Sequence, residues 1–428
     1  MERIFIETYG CTLNQADSDV MESILTEKGY VVERGKTNYK NIGKYDHIII
    51  NTCTVKKPTE QKIIDRLEHL TQIKDKLIVT GCLASASPDI IKKAVPHAKI
   101  LNTKEIVNIY NILNPTSITA NSSEKPSLLK PAGLVISRVP ISEGCLSNCS
   151  FCETKFARGP LKSFDTNVIL KAIELSVKSG SKEIELTSQD VGAYGADRKT
   201  NIAELVSQAS ELPGEFIMRI GMLNPEHLHK YLDELILAYK SPKLFKFIHL
   251  PIQSGSDSVL KSMKRKYTVD EVREYFKELR KKIKGISITT DIIVGYPSES
   301  KNEFIETKEL LLELKPTITN ISKFWQRAHA PASRLKQLSQ NEIKERSTLL
   351  SRTVRAMQTK EYSKLIGEEE EVLITENNNG FFSGRDIFYR PIAVTGKELK
   401  LGERVNVKIY GNSYACLLSK PYPKDTFE

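Results

Sequence analysis

Residues 143–152 read EGCLSNCSFC, which puts Cys145, Cys149 and Cys152 in one turn-rich loop, with three and then two residues between them. Such a loop can bring three thiolates to one face of a cubane iron-sulfur cluster. One iron is then left without a protein ligand and can chelate a small molecule through oxygen and nitrogen. The plainer reading of clustered cysteines is a structural zinc knuckle, which needs four closed ligands, usually with a second C-x-x-C pair. No second pair occurs, and the nearest downstream histidines, His227 and His229, do not repeat the spacing.

Working outward from this loop, residues 133–361 alternate strand-like and helix-like runs. The strands are LVISRVPI, KEIELTS, EFIMRIG, LFKFIHLPI, SITTDIIVG and TITNISKFW, with helical patterns over 167–179, 201–211, 225–239, 256–284 and 301–314. Six strands each followed by helical material predict a partial (β/α)6 barrel, whose ligands gather at the carboxyl ends of the strands. Those ends carry Gln189, Asp190, Arg219, His249, Gln253, Ser254 and Asp291, polar groups able to hold a nucleoside and an amino acid moiety, although such residues also serve to brace loops.

Upstream, residues 1–113 repeat RIFIET, HIIINT and KLIVTG, each followed by an amphipathic helical run, the pattern of a doubly wound parallel sheet. Each strand runs into a cysteine: Cys11, Cys53 and Cys82. Carboxyl ends of parallel strands share one edge, so three cysteines far apart in sequence are expected to meet as a second three-thiolate site. Cysteines that merely pack after strands are the alternative. Residues 114–132, rich in Pro, Ser and Asn, read as a linker.

The loop at 145–152 resembles the C-x3-C-x2-C motif of the radical SAM enzymes, with Phe151 at the aromatic position before the third cysteine. The resemblance implies a 4Fe-4S cluster on Cys145, Cys149 and Cys152, and S-adenosylmethionine on the open iron. Phe151, Gln189, Asp190, Gln253, Ser254 and Asp291 are then the candidate cofactor contacts. TYGCTLNQADSD, NTCTVK and VTGCLA resemble the N-terminal domain of the methylthiotransferases within that superfamily, implying an auxiliary 4Fe-4S cluster on Cys11, Cys53 and Cys82, flanked by Asn14, Gln15 and Asn51. The chain departs from the wider superfamily in having LTSQD where Gly-Gly-Glu is common, and RAHAPAS near the last strand's end.

The tail, 362–424, has short alternating strands bounded by Asn and Gly, which predict a small antiparallel β-barrel. It resembles the RNA-binding TRAM domain, with Arg385, Phe388, Tyr389, Arg390 and Lys408 as candidate RNA contacts and Cys416 as a core residue of the last strand. Residues 261–285 concentrate Lys and Arg on a helical pattern, read either as a solvated face or as a contact to tRNA phosphates. The lone Trp325 can pack or stack on a base.

A net charge of +10 favours a polyanionic partner. Seven cysteines without a secretory pattern, and no run of 18 or more apolar residues, favour a cytoplasmic chain without a membrane span. Taken together, the motifs look most like the archaeal and eukaryotic methylthiotransferases acting on N6-threonylcarbamoyladenosine beside the anticodon of tRNA. That resemblance implies a low-potential electron donor, a sulfur donor and a monomeric enzyme. Related enzymes acting on isopentenyladenosine, or on an aspartate of a ribosomal protein, share the six cysteines. A non-enzymatic electron carrier would need four ligands per cluster. Arg219, with Arg327 as second choice, is the candidate cation for the carboxylate of the threonyl group.

Overall fold

The computed structural model describes residues 1–36, 39–55, 57–116, 122–130, 133–378, 380–396 and 398–422. The first strands are β1 (Arg3–Thr8), β2 (Val31–Arg34), β3 (His47–Thr52), β4 (Leu77–Gly81) and β5 (Lys99–Ile100). They form one all-parallel sheet in the order β2-β1-β3-β4-β5. The short edge strands β2 and β5 are additions to the three strands read from sequence.

Helices α1 (Thr12–Glu27), α2 (Lys57–His69), α3 (Cys82–Ala86), α4 (Pro88–Ala94) and α5 (Ile109–Leu113) make the connections. Phe5, Ile48, Ile50 and Val79 bury one face of the sheet against Ile63 and Leu67 of α2 and Ile91 of α4. Ile4, Ile6, Ile49 and Ile78 bury the other against α1, and this core runs on without a break into the next domain. The order reverses between β1 and β3, the topological switch point at which open α/β sheets bind ligands.

The segment read as a linker is tied down where it is described. Lys125, 4% exposed, reaches 2.6 Å to both Asp17 and Glu143, and so joins the two domains.

The second domain contains β6 (Ile136–Pro140), the two-residue hairpin strands β7 (Ser142–Glu143) and β8 (Lys162–Ser163), then β9 (Glu183–Thr187), β10 (Ile217–Ile220), β11 (Phe247–His249), β12 (Ser287–Val294) and β13 (Ile318–Lys323). Strands β6, β9 and β10 pair in parallel, as do β11, β12 and β13. Isolated bridges Met218↔Leu244 and Met222↔His249 join the two groups into the expected sequential six-stranded partial barrel.

Helices α6 (Thr154–Arg158), α7 (Thr166–Lys178), α8 (Ile202–Ser210), α9 (Pro225–Leu228), α10 (Leu232–Ala238), α11 (Asp257–Ser262), α12 (Val269–Lys282) and α13 (Lys301–Leu314) follow in turn. The pattern read as one helix over 225–239 is broken into α9 and α10. Helix α14 (Gln340–Ser363), unassigned in the sequence, packs against β13 and leads to the last domain.

Strands β14 (Glu369–Asn378), β15 (Phe381–Arg385), β16 (Pro391–Val394), β17 (Arg404–Asn412) and β18 (Leu417–Pro421) close a barrel in the order β14-β15-β16-β18-β17, antiparallel except for the β16–β18 pair. Cys416 precedes β18 and is half-buried in a turn with Ser413, not alternating within the strand.

The loop between β15 and β16 closes the floor of the large barrel. Lys246 N–H donates to Ile387 O at 2.7 Å, and Phe388 packs on Gly285. Tyr389 lies against Phe245 and Phe247 with ring centroids 4.8 Å away in each case, and its hydroxyl donates to Glu185 at 3.2 Å. All of these partners except Glu185 lie at the amino ends of β9–β12 or just before them, opposite the ligand rim. Tyr389 adopts φ +60 to make the insertion, a left-handed conformation that costs a bulky residue on the order of 1–2 kcal/mol.

Candidate functional site

All six cysteines outside the tail lie at carboxyl ends of strands or in the loop that follows β7. Cys11 is the residue before α1, Cys53 follows β3, and Cys82 opens α3. Gly10, at φ +107, makes the approach of the first to the second feasible: a Cβ there would lie 2.8 Å from Cys53 Cβ. Asn14 Oδ1 is 4.0 Å from Cys11 Sγ and 3.7 Å from Cys82 Sγ, and Asn14 Nδ2 donates to Thr52 O, next to Cys53, at 2.8 Å, so one asparagine draws the three strand ends together. Asn51, expected beside them, bonds to Asn14 O at 2.8 Å and keeps a buried Oδ1 with no hydrogen-bond partner among the described residues. Gln15 instead accepts from Arg34 at 3.0 Å.

The barrel loop is held shut by the β7–β8 hairpin and by Cys145 N–H donating to Gly159 O at 3.2 Å. Gly144, at φ +72, is required there, because a Cβ would meet Pro160 O at 2.0 Å. Ser150 pins the loop to α11 by donating N–H to Met263 O at 3.0 Å and Oγ–H to Ser262 O at 2.9 Å.

Both triads carry donors aimed at sulfur. Thr154 N–H reaches Cys152 Sγ at 3.4 Å, Val55 N–H reaches Cys53 Sγ at 3.5 Å, Arg265 Nη1 reaches Cys149 Sγ at 3.2 Å and Arg158 Nε reaches Cys82 Sγ at 3.2 Å. Burial pushes the thiols of Cys82 and Cys145 up to about 12, and those of Cys53 and Cys149 upward. Left alone such groups stay protonated, whereas a bound metal ionises them outright. Donor sets of this kind suit thiolates on a cluster. Among the described residues no three His, Cys, Asp or Glu close around one point, as a mononuclear ion requires.

Arg158 joins the two triads. Fully buried, it donates to Cys82 Sγ, to Asn14 Oδ1 and Asp17 Oδ2 at 2.7 Å each, and to Glu143 Oε1 at 2.8 Å. Thr54, next to Cys53, donates to Glu153 Oε2 at 2.8 Å, next to Cys152. The two cysteine loops are therefore tied directly to each other. The sequence offered no hint of Arg158, whose partners are up to 144 residues away.

The remaining expected residues divide. Gln189 is on the rim with a buried Oε1, next to Ser188 Oγ, and neither atom has a hydrogen-bond partner among the described residues. Gln253 adopts φ +73 on the rim and its side chain bonds to no described residue. Phe151 packs against Val259, Met263, Tyr296 and Phe324. Asp190 Oδ1 closes the loop, accepting from Gly192 N–H at 3.1 Å and Asn224 N–H at 3.0 Å, while Oδ2, 3.3 Å from His227 Nε2, has no hydrogen-bond partner among the described residues. Ser254 pairs with Thr307 on α13 at 3.3 Å. Asp291 is held by His249 at 3.0 Å and Asn320 at 2.9 Å.

Arg219 points into the barrel, 3.6 Å from Glu185 and over the rings of Phe247 and Tyr389, so it is engaged in seating the tail. Arg327 differs. It is 7% exposed, gives Nη1 to Glu60, and leaves Nη2 buried without a hydrogen-bond partner among the described residues. It also lies near enough to Cys53 to act on it electrostatically.

The expected RNA contacts need revision. Phe388 and Tyr389 close the barrel floor, Arg385 lies over the Tyr389 ring, and Arg390 is paired with Asp386 and Glu370. A docking loop and an RNA loop interleave basic and aromatic residues alike, and only the positions of Asp386 and Glu370 tell them apart. Lys408 remains exposed, over Tyr422.

In the basic run at 261–285, Arg273, Lys277, Lys281 and Lys282 are paired with Asp233, Asp270, Glu274, Glu278 and Glu313, as on a solvated face, whereas Lys261, Lys264, Arg280 and Lys284 make no ion pair with a described residue. Further unpaired cations lie on the last helix and the tail. Arg352 and Arg355 on α14, with Lys408 and Lys420 on β17 and β18, make no ion pair with a described residue. Exposed tyrosines lie among them: Tyr414 under Arg355 and Tyr410 under Lys420. Trp325 is half-buried at the end of β13.

Residues 3–102 match the model described as Uncharacterized protein family UPF0004, and residues 139–311 match the Radical SAM superfamily. The fold agrees. The radical S-adenosylmethionine methyltransferase TsrM from Kitasatospora setae, solved with cobalamin and a 4Fe-4S cluster bound, superposes with a TM-score of 0.57 at 12% identity, over 78% of this chain and 77% of that one. The chain is thus a radical SAM protein, a class that works with a 4Fe-4S cluster and S-adenosylmethionine. It is 37% identical to the "Probable threonylcarbamoyladenosine tRNA methylthiotransferase" of Methanothermobacter thermautotrophicus over 96% of this chain and 98% of the relative. It is 39% identical to the protein of that name in Archaeoglobus fulgidus, over 95% and 96%. It is 31% identical to the human "Threonylcarbamoyladenosine tRNA methylthiotransferase", over 98% and 74%. At this identity and coverage the chain belongs to the threonylcarbamoyladenosine tRNA methylthiotransferase family.

Proposed function

We propose that this chain adds a methylthio group to carbon 2 of N6-threonylcarbamoyladenosine beside the anticodon of tRNA. Cys145, Cys149 and Cys152 would hold the cluster that binds S-adenosylmethionine, with Cys11, Cys53 and Cys82 holding a second 4Fe-4S cluster. Loaded in this way, the first would supply one-electron chemistry on S-adenosylmethionine and the second would carry the sulfur received from a separate donor.

The observation that carries the reading is that the loops of the two cysteine triads are bound to each other, through Arg158 with Cys82 and Glu143 and through Thr54 with Glu153. The protein's own groups do the rest. Gln189 and Gln253 offer free amides on the rim to a nucleoside or an amino acid group. Arg327 offers the buried Nη2 to the threonyl carboxylate, and a desolvated carboxylate needs such a cation. Arg352, Arg355, Lys408 and Lys420 offer unpaired charge to the RNA backbone.

On this reading electrons come from a low-potential donor and sulfur from a separate donor, in the cytoplasm, where the RNA substrate is found. Each triad is supplied by one chain, which suits a monomer. Among the described residues no helix is long and apolar enough to cross a membrane.

The test gives anaerobically reconstituted enzyme tRNA bearing either the threonylcarbamoyl or the isopentenyl adenosine, with nucleosides read by mass spectrometry. Product on the first substrate alone is expected, with Arg327→Lys losing about tenfold or more in kcat/KM, the worth of a hydrogen bond to a charged group. Product on the isopentenyl tRNA alone overturns the substrate. Iron analysis of the same preparation should find about eight atoms, falling by about half when either triad is replaced by alanine.

A further inference from the structure

Phe156 is exposed over 57% of its surface, although it lies only four residues past Cys152 in a helix whose other residues are pinned. Its ring is stacked on His329, with centroids 3.7 Å apart and planes 7° from parallel. His329 is itself fixed, its Nε2 lying 3.0 Å from Ala86 O at the end of the helix that Cys82 opens. Arg158 and the Thr103 Oγ1 donation to Ala157 O at 3.1 Å hold α6 from beneath. The result is a rigid two-ring stack with one face of Phe156 covered by histidine and the other facing solvent.

A phenyl ring that served packing alone would turn that face inward, since leaving it wet forgoes most of its burial energy. The surroundings suit an RNA base. Val55, 56% exposed, and Leu146, 43% exposed, extend the apolar surface along the two cysteine loops. Lys155 Nζ is held by Leu146 O at 3.1 Å and Asn148 Oδ1 at 2.8 Å, the Lys104 ammonium lies beside Gly159 at the end of the same helix, and neither lysine pairs with a described carboxylate. An open aromatic ring on a helix that carries or adjoins such cations suits an unpaired base and its phosphate. His329 is also two residues from Arg327, so the stack and the guanidinium that keeps Nη2 unpartnered among the described residues belong to one segment.

We propose that the open face of Phe156 is a stacking platform for a base of the single-stranded loop next to the reacting adenosine. The platform would hold the RNA while Arg327 reads the side group. This inference rests on tRNA being the substrate.

The experiment uses the full-length, cluster-loaded enzyme and an anticodon stem-loop RNA carrying the modified adenosine, with 2-aminopurine replacing the nucleotide on its 5′ or its 3′ side. Stacking quenches 2-aminopurine fluorescence, so wild-type enzyme should quench one of the two probes on binding. Phe156→Trp should retain the quench. Phe156→Leu, at matched iron content and thermal midpoint, should abolish it and weaken binding on the order of tenfold. Unchanged quenching and affinity in Phe156→Leu overturn the platform while leaving the tRNA reading intact. A wild-type enzyme that binds neither stem-loop removes the tRNA reading and this inference together.

Discussion

Glu183 is fully buried at the start of β9, and neither of its carboxylate oxygens has a hydrogen-bond partner among the described residues. Burial, and then the like charge of Glu185, push its pKa up to about 7 from 4.5, against the opposing pull of Arg385, Tyr389 and Arg219. A carboxyl raised in the folded state favours folding in its protonated form. That contribution is present below pH 4.5 and is lost as pH rises through about 7. Two and a half pKa units correspond to about 3 kcal/mol.

Glu183→Gln keeps the shape and removes the titration. The variant should therefore be more stable than wild type by about 3 kcal/mol near pH 8.5 and by about half as much near pH 5.5. Trp325, the only tryptophan, ends the last strand of the large barrel, so its fluorescence during denaturant unfolding reports the domain that holds Glu183. Equal midpoints at both pH values, or a less stable Gln variant, would refute the reasoning by showing Glu183 ionised and paired.

Two further outcomes are expected. Arg158→Met removes one of two cations from a buried set that also holds Asp17, Glu143 and Lys125, and should cost about 3–5 kcal/mol; calorimetry showing an unchanged thermal midpoint would contradict the network. Replacing Arg352, Arg355 and Lys420 by alanine should lower the slope of log affinity for tRNA against log salt by roughly 2–3. The same change at Lys277, Lys281 and Lys282 should leave the slope nearly unaltered, because those lysines are already paired.

What was legible in the chain was whatever repeats locally. Strand followed by helix is enough to infer two parallel sheets, and a cysteine at each of three strand ends points to one triad, because parallel order places carboxyl ends on one edge, while the other triad is read from the close spacing of Cys145, Cys149 and Cys152. The edge strands β2 and β5 escaped because one is a short run of Val and charged residues and the other has two residues. Arg158, Lys125 and the floor loop escaped for a different reason, since each is defined by partners in another domain. Asp190 and Ser254 lie on the rim as read, yet their side chains close turns. Position on a rim is a matter of topology, whereas the direction of a side chain depends on whichever backbone N–H or hydroxyl happens to be nearest.

The loop that carries Tyr389 into the large barrel has a consequence for the order in which this protein can mature. Its residues follow the barrel strands by more than a hundred positions for β9 through β11, so on the ribosome those strands are made long before anything covers their lower ends. Until residues 386–390 emerge, Ile217, Phe245 and Phe247 face water, and Glu183 and Glu185 lack Arg385 and the Tyr389 hydroxyl. A nascent barrel with an open, apolar underside is the kind of species that aggregates or recruits chaperones. Ribosome-stalled chains ending before Asp386 should therefore be far more protease-sensitive in the barrel than chains stalled after the whole tail has cleared the exit tunnel.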